Sequence, residues 1–159
     1  MTRHPGFYHM IPKIQQAPGL SPQVLSYIET LTRQGFTGDL ATDYGSRLSM
    51  SVDNSIYQCL PDAILFPRSV ADVALISRIA DDEAFSGLTF TARGGGTGTN
   101  GQSLNHGVIV GMSRYMNRIL AINSEDGWVW VEAGVVKDLL NQRLKPSGFF
   151  FAPESSPDL

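Results

Sequence analysis

Arg93-Gly94-Gly95-Gly96-Thr97-Gly98-Thr99-Asn100-Gly101 is the stretch whose residue types point most directly to chemistry. Five of its nine residues are glycine, the residue that loses most backbone entropy on folding. A loop carrying that cost needs a reason. Without side chains in the way, successive backbone N–H groups can gather around an anionic oxygen and form a nest. Thr97, Thr99 and Asn100 add side-chain donors, and Arg93 adds a permanent positive charge suited to phosphate oxygens. On the residues alone the segment reads as a pyrophosphate cradle. A glycine-rich surface turn in a purely structural domain stays open, as does a non-catalytic nucleotide- or anion-binding module.

The spacing narrows the kind of cradle. Gly96, Gly98 and Gly101 match G-x-G-x-x-G, but the doubly wound dinucleotide fold needs a helix opening inside that motif. Only Gln102 to His106 separate Gly101 from the next apolar run, too few residues for the helix. A P-loop needs a lysine after its last glycine, where this chain has Gln102. A kinase glycine loop needs a valine two residues on, where this chain has Ser103. The expectation is a strand–loop–strand nest, not a helix terminus.

Several elements must hold that loop. Ser21-Pro22 marks a helix start, with Val24, Leu25, Ile28 and Leu31 on one face and Gly35 as the stop. Residues 36–60 show no strong periodicity. Ala63 to Phe66, closed by Pro67, reads as a buried strand. Ser69 with Asp72 resembles a capping box and opens a helix carrying Val73, Ile76, Ile79 and Ala80. That helix ends near the acidic residues Asp81, Asp82 and Glu83, which oppose its dipole, so its boundary is expected early. Leu88 to Ala92 and Gly107 to Met112 read as strands. Ile119–Ile122 and Trp128–Glu132 form a hairpin across Asn123 to Gly127. Val135, Val136, Leu139, Leu140 and Leu144 make a helical stripe, and Phe149 to Phe151 a last short strand. The fold class is therefore α+β: a small, mostly parallel sheet flanked by helices, with an added antiparallel hairpin. Residues 1–60 read as a helical or irregular N-terminal extension and 61–159 as the main unit. The stop at ESSPDL, directly after an apolar run, reads as a cut.

The remaining residues suggest less chemistry. His4, His9 and His106 lack metal-ligand spacing, so no metal is expected. Cys59 reads as an inert thiol in an apolar context, and a single cysteine excludes an internal disulfide framework. Asp62, Asp72, Asp81 and Asp82 read as solvated charges flanking helices. Trp128 and Trp130 share one strand face, and the phenylalanine run reads as core. At 159 residues and 42% hydrophobic, the chain can bury a core. A net charge of −3 argues against a general nucleic-acid binder. No apolar run approaches the ~18 residues of a membrane span, and the start lacks the apolar stretch of a secretory signal. A cytoplasmic location is expected.

At the glycine loop the sequence also resembles the FAD-binding domain of the vanillyl-alcohol-oxidase-type (PCMH-type) flavoproteins. Within them it is similar to the branch of FAD-linked D-lactate dehydrogenases, glycolate oxidases and large bacterial D-2-hydroxyglutarate dehydrogenases that carry a C-terminal iron–sulfur region. Five blocks in order carry the resemblance: DNSIYQCLPDAILFPRS (Asp53–Ser69), ARGGGTGTNGQ (Ala92–Gln102), MSRYMNRIL (Met112–Leu120), VEAGVVKDLLN (Val131–Asn141) and FFAPE (Phe150–Glu154). The resemblance implies that Arg93, Gly94, Gly95, Gly96, Thr97, Gly98, Thr99, Asn100 and Gly101 hold the FAD pyrophosphate. It implies that Pro67 borders the adenine side, that Met112 and Ser113 end a strand near the cofactor, and that Pro153 borders the flavin nucleotide. Some members attach FAD through a histidine in this loop; the matching position is Thr97, so noncovalent FAD is implied.

The implied reaction is oxidation of a D-2-hydroxy acid by hydride transfer to FAD, with electrons passing on to an acceptor. The residues of this chain supply no catalytic base. The second half of the FAD domain, the substrate cap and the iron–sulfur cysteines would lie outside it, so the fragment alone is expected to be inactive. Gly111, where relatives often carry an acidic or apolar residue, is expected to loosen its strand.

Overall fold

The computed structural model describes residues 19–152. Pro22–Arg33 forms α1, with the Ser21 hydroxyl accepting from Val24 N at 3.2 Å. Asp39–Ala41 is β1 and Tyr44–Ser49 is α2. Ala63–Phe66 is β2, Val70–Ala80 is α3, Phe90–Arg93 is β3 and Val108–Gly111 is β4. Ile119–Asn123 and Trp128–Val131 are β5 and β6, and Lys137–Leu144 is α4.

Four strands make one sheet in the order β1-β2-β4-β3. β2 and β3 both run parallel to β4, and β1 closes the far edge antiparallel to β2. Every residue of β2 and β4 is buried, which marks strands covered on both faces. Side-chain alternation divides them. Ala63, Leu65, Val108 and Val110 join Val24, Tyr27 and Leu31 of α1 and Leu75, Ile76 and Ile79 of α3 in the larger core. Ile64, Phe66 and Ile109 face the other way, against Ala41, Met50 and Tyr115. Tyr27 joins the layers. Its ring meets Phe85 edge-on and Phe90 at a tilt, and its hydroxyl donates to Ile76 O at 2.8 Å. The β5–β6 hairpin forms a separate two-stranded sheet.

The mixed sheet, flanking helices and hairpin agree with the expected α+β class. The Gly148 turn does not lead into a strand: Phe151 N donates to Asn141 Oδ1 at 2.7 Å, so a side chain takes the place of a ladder. The phenylalanines are not core either, being 45%, 74% and 46% exposed. Residues 36–60, where no periodicity is visible, hold β1 and α2, both too short to express one. α1 packs with β2, α3 and β4 in the larger core, and β1 pairs with β2.

Asp72 corrects the reading of solvated charges. It is 3% exposed. One carboxylate oxygen accepts from Thr37 N and the other from Thr37 Oγ1 and Arg68 N, at 2.8–2.9 Å. The Ser69 cap forms, with Ser69 Oγ accepting from Asp72 N. The aspartate thus joins the α1–β1 connection at Thr37 to Arg68, the residue just before its own helix cap. Asp62 pairs with the buried Arg47 at 3.6 Å, while Asp81 and Asp82 are exposed as expected.

Candidate functional site

The carboxyl ends of the three parallel strands share one end of the sheet. The register pairs Leu65 with Val110 and Arg93 with Gly111. Pro67, Gly94 and Met112, each just beyond its strand, therefore emerge side by side. Ligands of open parallel sheets bind at that end. Sequence order alone would not have gathered these residues; the ladder does.

The glycine loop leaves β3 here. Met112 N donates to Arg93 O at 2.8 Å and Ser113 Oγ donates to Gly94 O at 3.4 Å, which fixes the loop's first residue against the segment after β4. Gly96 and Gly101 turn the chain with φ of 70° and 74°, values that side-chain-bearing residues rarely adopt. No helix opens within the loop among the described residues, in line with a strand–loop–strand connection. Asn100 N donates to Gln102 Oε1 at 3.1 Å. Among the described residues, the amides of Gly94 to Thr99 and of Gly101 have no protein acceptor. Thr97, Thr99 and Asn100 are exposed. A run of free N–H donors flanked by hydroxyls and an amide suits an anionic oxygen cluster.

Arg93 lies beneath the loop. It is 8% exposed, its Nη2 donates to Val52 O at 2.7 Å and its Nη1 to Ser103 Oγ at 3.3 Å. A Cβ built on Gly96 would overlap the guanidinium, and one on Gly98 would overlap the Gln102 amide. Ser103 Oγ in turn donates to Asp53 Oδ2 at 3.1 Å. Asp53 Oδ1 accepts from Ser55 N at 2.8 Å. The Ser55 side chain does most to hold the Asp53 carboxyl below the ordinary value, with the Ser55 amide, Ser103 and Arg93 adding to it. Tyr57 lies against Gly101. Val52, Asp53, Tyr57, Gln102 and Ser103 thus support the loop, and sequence reasoning gave none of them that role. Asp53-Asn54-Ser55 carried a readable turn signal; Ser103 carried none.

The neighbouring strand end is also built. Pro67 is fully buried, and Met112 packs against the larger core. Asp39 accepts from Tyr115 Oη, Arg68 and Arg114. Those three donors, Tyr115 first, hold its carboxyl below the ordinary value. Gly111 does not loosen β4, since it pairs with Arg93. A Cβ there would lie 2.8 Å from two atoms of the Phe66 ring, so the glycine makes room for that ring. Gly134 allows an equally close approach to the backbone of Met112 and Ser113. Pro153, His4 and His9 lie outside the described residues; His106 is exposed. No helix among the described residues is long and apolar enough to cross a membrane.

Comparison with known proteins agrees with this architecture. The alkyldihydroxyacetonephosphate synthase structure superimposes with a TM-score of 0.68 at 18% identity, over 86% of this chain and 27% of that one. D-2-hydroxyglutarate dehydrogenase of Pantoea ananatis is 71% identical over 149 residues, covering 94% of this chain. The Escherichia coli protein of that name is 67% identical over 147 residues, covering 92%. The chain spans 15% and 14% of the lengths of those two relatives. The family described as FAD binding domain matches residues 61–158. With most of its length matched in this way, the chain belongs to the FAD-binding domain family.

Proposed function

We propose that this chain is the FAD-binding portion of a flavin-dependent dehydrogenase that oxidises a D-2-hydroxy acid of the 2-hydroxyglutarate or lactate class. The observation that carries the reading is the row of unpartnered amides from Gly94 to Thr99 at the carboxyl end of a parallel sheet. In this reading the backbone of residues 94–101 takes the FAD pyrophosphate, with Thr97, Thr99 and Asn100 adding donors. Pro67, Met112, Ser113 and Pro153 border the nucleotide. Thr97 offers no nucleophile of the kind that tethers flavin, so FAD is held noncovalently. Bound FAD supplies the hydride acceptor. The residues of this chain bind and orient it and provide no base, so the fragment alone does not turn over. Residues 61–159 form the first half of the FAD-binding domain, and residues 1–60 add α1 and β1 to its core. The names of the similar dehydrogenases support the substrate class. An electron acceptor, an iron–sulfur centre beyond this chain and a cytoplasmic location complete the proposal.

The test is a titration of the isotopically labelled chain with FAD, ADP and inorganic pyrophosphate, followed by amide chemical shifts. The Gly94–Gly101 amides should move with FAD and ADP. No movement there at millimolar ligand would overturn the reading. Binding of ADP with no flavin binding, even in a longer chain carrying the rest of the domain, would favour a non-catalytic nucleotide module.

A further inference from the structure

We propose that Arg93 is a positioning residue: its guanidinium is a buried strut that sets the shape of the glycine loop from below and is not itself a phosphate ligand. The inference rests on the pyrophosphate reading above and assigns a task to Val52 and Asp53, which that reading leaves without one.

The geometry of the guanidinium carries the argument. It is tied to a carbonyl on one side, Val52 O, and to a hydroxyl on the other, Ser103 Oγ. These anchors come from different segments, one before β2 and one at the far end of the loop. The strut therefore links both ends of the loop to a third strand of chain. It also occupies the space under Gly96, the point where φ turns positive. Asp53 completes the support by accepting from the same Ser103 hydroxyl, which leaves the hydroxyl's lone pair for the guanidinium. Arg93 is 8% exposed and gives one N–H to each of these partners, so a move to the outer face would break both bonds. Its charge still acts through the loop, favouring an anion above without touching it.

A preformed loop matters because the free amides make no bond that would hold them in the absence of ligand. A floppy loop must be ordered at the moment of binding, which lowers affinity. A planar two-sided donor also explains why arginine, not lysine, stands here.

The experiment uses the 159-residue chain with Ser103→Ala, Arg93→Lys and Arg93→Met. Nitrogen-15 relaxation on the ligand-free protein reads the loop, and ADP shift titration reads binding. In all three variants the order parameters of Gly94, Gly95, Gly96 and Gly98 should fall from the rigid range of about 0.85 toward 0.6 or below. Those of β2 and β4 should not move, and ADP should bind roughly tenfold more weakly. A direct phosphate ligand gives a different pattern: Arg93→Met loses affinity with the loop still ordered, Arg93→Lys keeps much of it, and Ser103→Ala changes nothing. That pattern overturns the strut. If the arginine variants do not fold, Ser103→Ala decides alone. Loss of loop order in a chain that binds no ADP in any form would uphold the strut and overturn the pyrophosphate reading.

Discussion

A methyl group on Gly96 would fall on the guanidinium of Arg93. The loop's backbone and its buried cation are fitted to each other, and two penalties coincide at that position. The φ of 70° costs an alanine about 1–2 kcal/mol on its own. The overlap with Arg93 then forces either the backbone or the strut to shift. Gly96→Ala should therefore abolish the ADP-induced shifts of the loop amides while the β2 and β4 resonances stay in place. Gly94→Ala meets no atom within 4 Å and has no positive φ, so it should retain measurable binding. Equal behaviour of the two variants would contradict the fit.

Phe66 and Gly111 make a second fitted pair. The ring fills the space that a Cβ on Gly111 would need and is capped by the Arg114 guanidinium at 3.6 Å. The ring has little room to retreat, being 4% exposed among Ile64 and Ile109. Gly111→Ala should destabilise the chain by about 1–3 kcal/mol, the range for overpacking a core. A lower urea midpoint with an unchanged slope is the expected measurement. An unchanged midpoint would mean that the Phe66 face is not closely packed.

How much of this was legible in the sequence depends on the range of the interaction. Ser21, Ser69 and the apolar runs of β2 and β4 act within a few residues, and their signals placed α1, α3 and the central strands. The glycine loop was legible because glycine has few other reasons to cluster. The support beneath it was not, because Arg93, Ser103 and Val52 meet only once the sheet has formed. Arg93 read as a charge suited to phosphate oxygens, and its burial against Val52 and Ser103 had no signal in the sequence. Asp72 read as solvated because its acceptor role depends on Thr37, 35 residues away. The phenylalanine run failed differently: its composition suits a strand, but Phe149 N donates to Leu144 O and Phe151 bonds to the Asn141 side chain.

The two tryptophans give a direct reading of the hairpin surface. Trp128 and Trp130 lie on one face of β6 and are 47% and 67% exposed, and they are the chain's only two. The chain's tryptophan emission should resemble that in water and be readily quenched by acrylamide. Trp130→Ser should change stability by no more than about 0.5 kcal/mol, as for an exposed side chain. A blue-shifted, protected emission would mean that this face is covered in the isolated chain.

Asp72 predicts how the fold responds to acid. Burial pushes its carboxyl up, but the hydrogen bonds from Thr37 N, Arg68 N, Thr37 Oγ1 and Ser69 outweigh that effect, and the group lies below its ordinary value of 3.8. The folded state therefore holds the proton less tightly than the unfolded state. The stability that Asp72 contributes is complete above the unfolded value, and it is lost as pH falls from there through the lower folded value. Asp72→Ala takes the charged acceptor from two partly buried backbone donors and should cost about 2 kcal/mol at neutral pH, since a bond to a charged acceptor contributes about 1.5–3 kcal/mol. Asp72→Asn keeps one good acceptor and should cost less. The deciding measurement is the difference in urea midpoint between wild type and Asp72→Asn at pH 7 and at pH 3. That difference should shrink in acid, because protonation leaves the wild type with a neutral group there as well. A difference independent of pH would show that the charge on Asp72 does not hold the Thr37 and Arg68 amides in place.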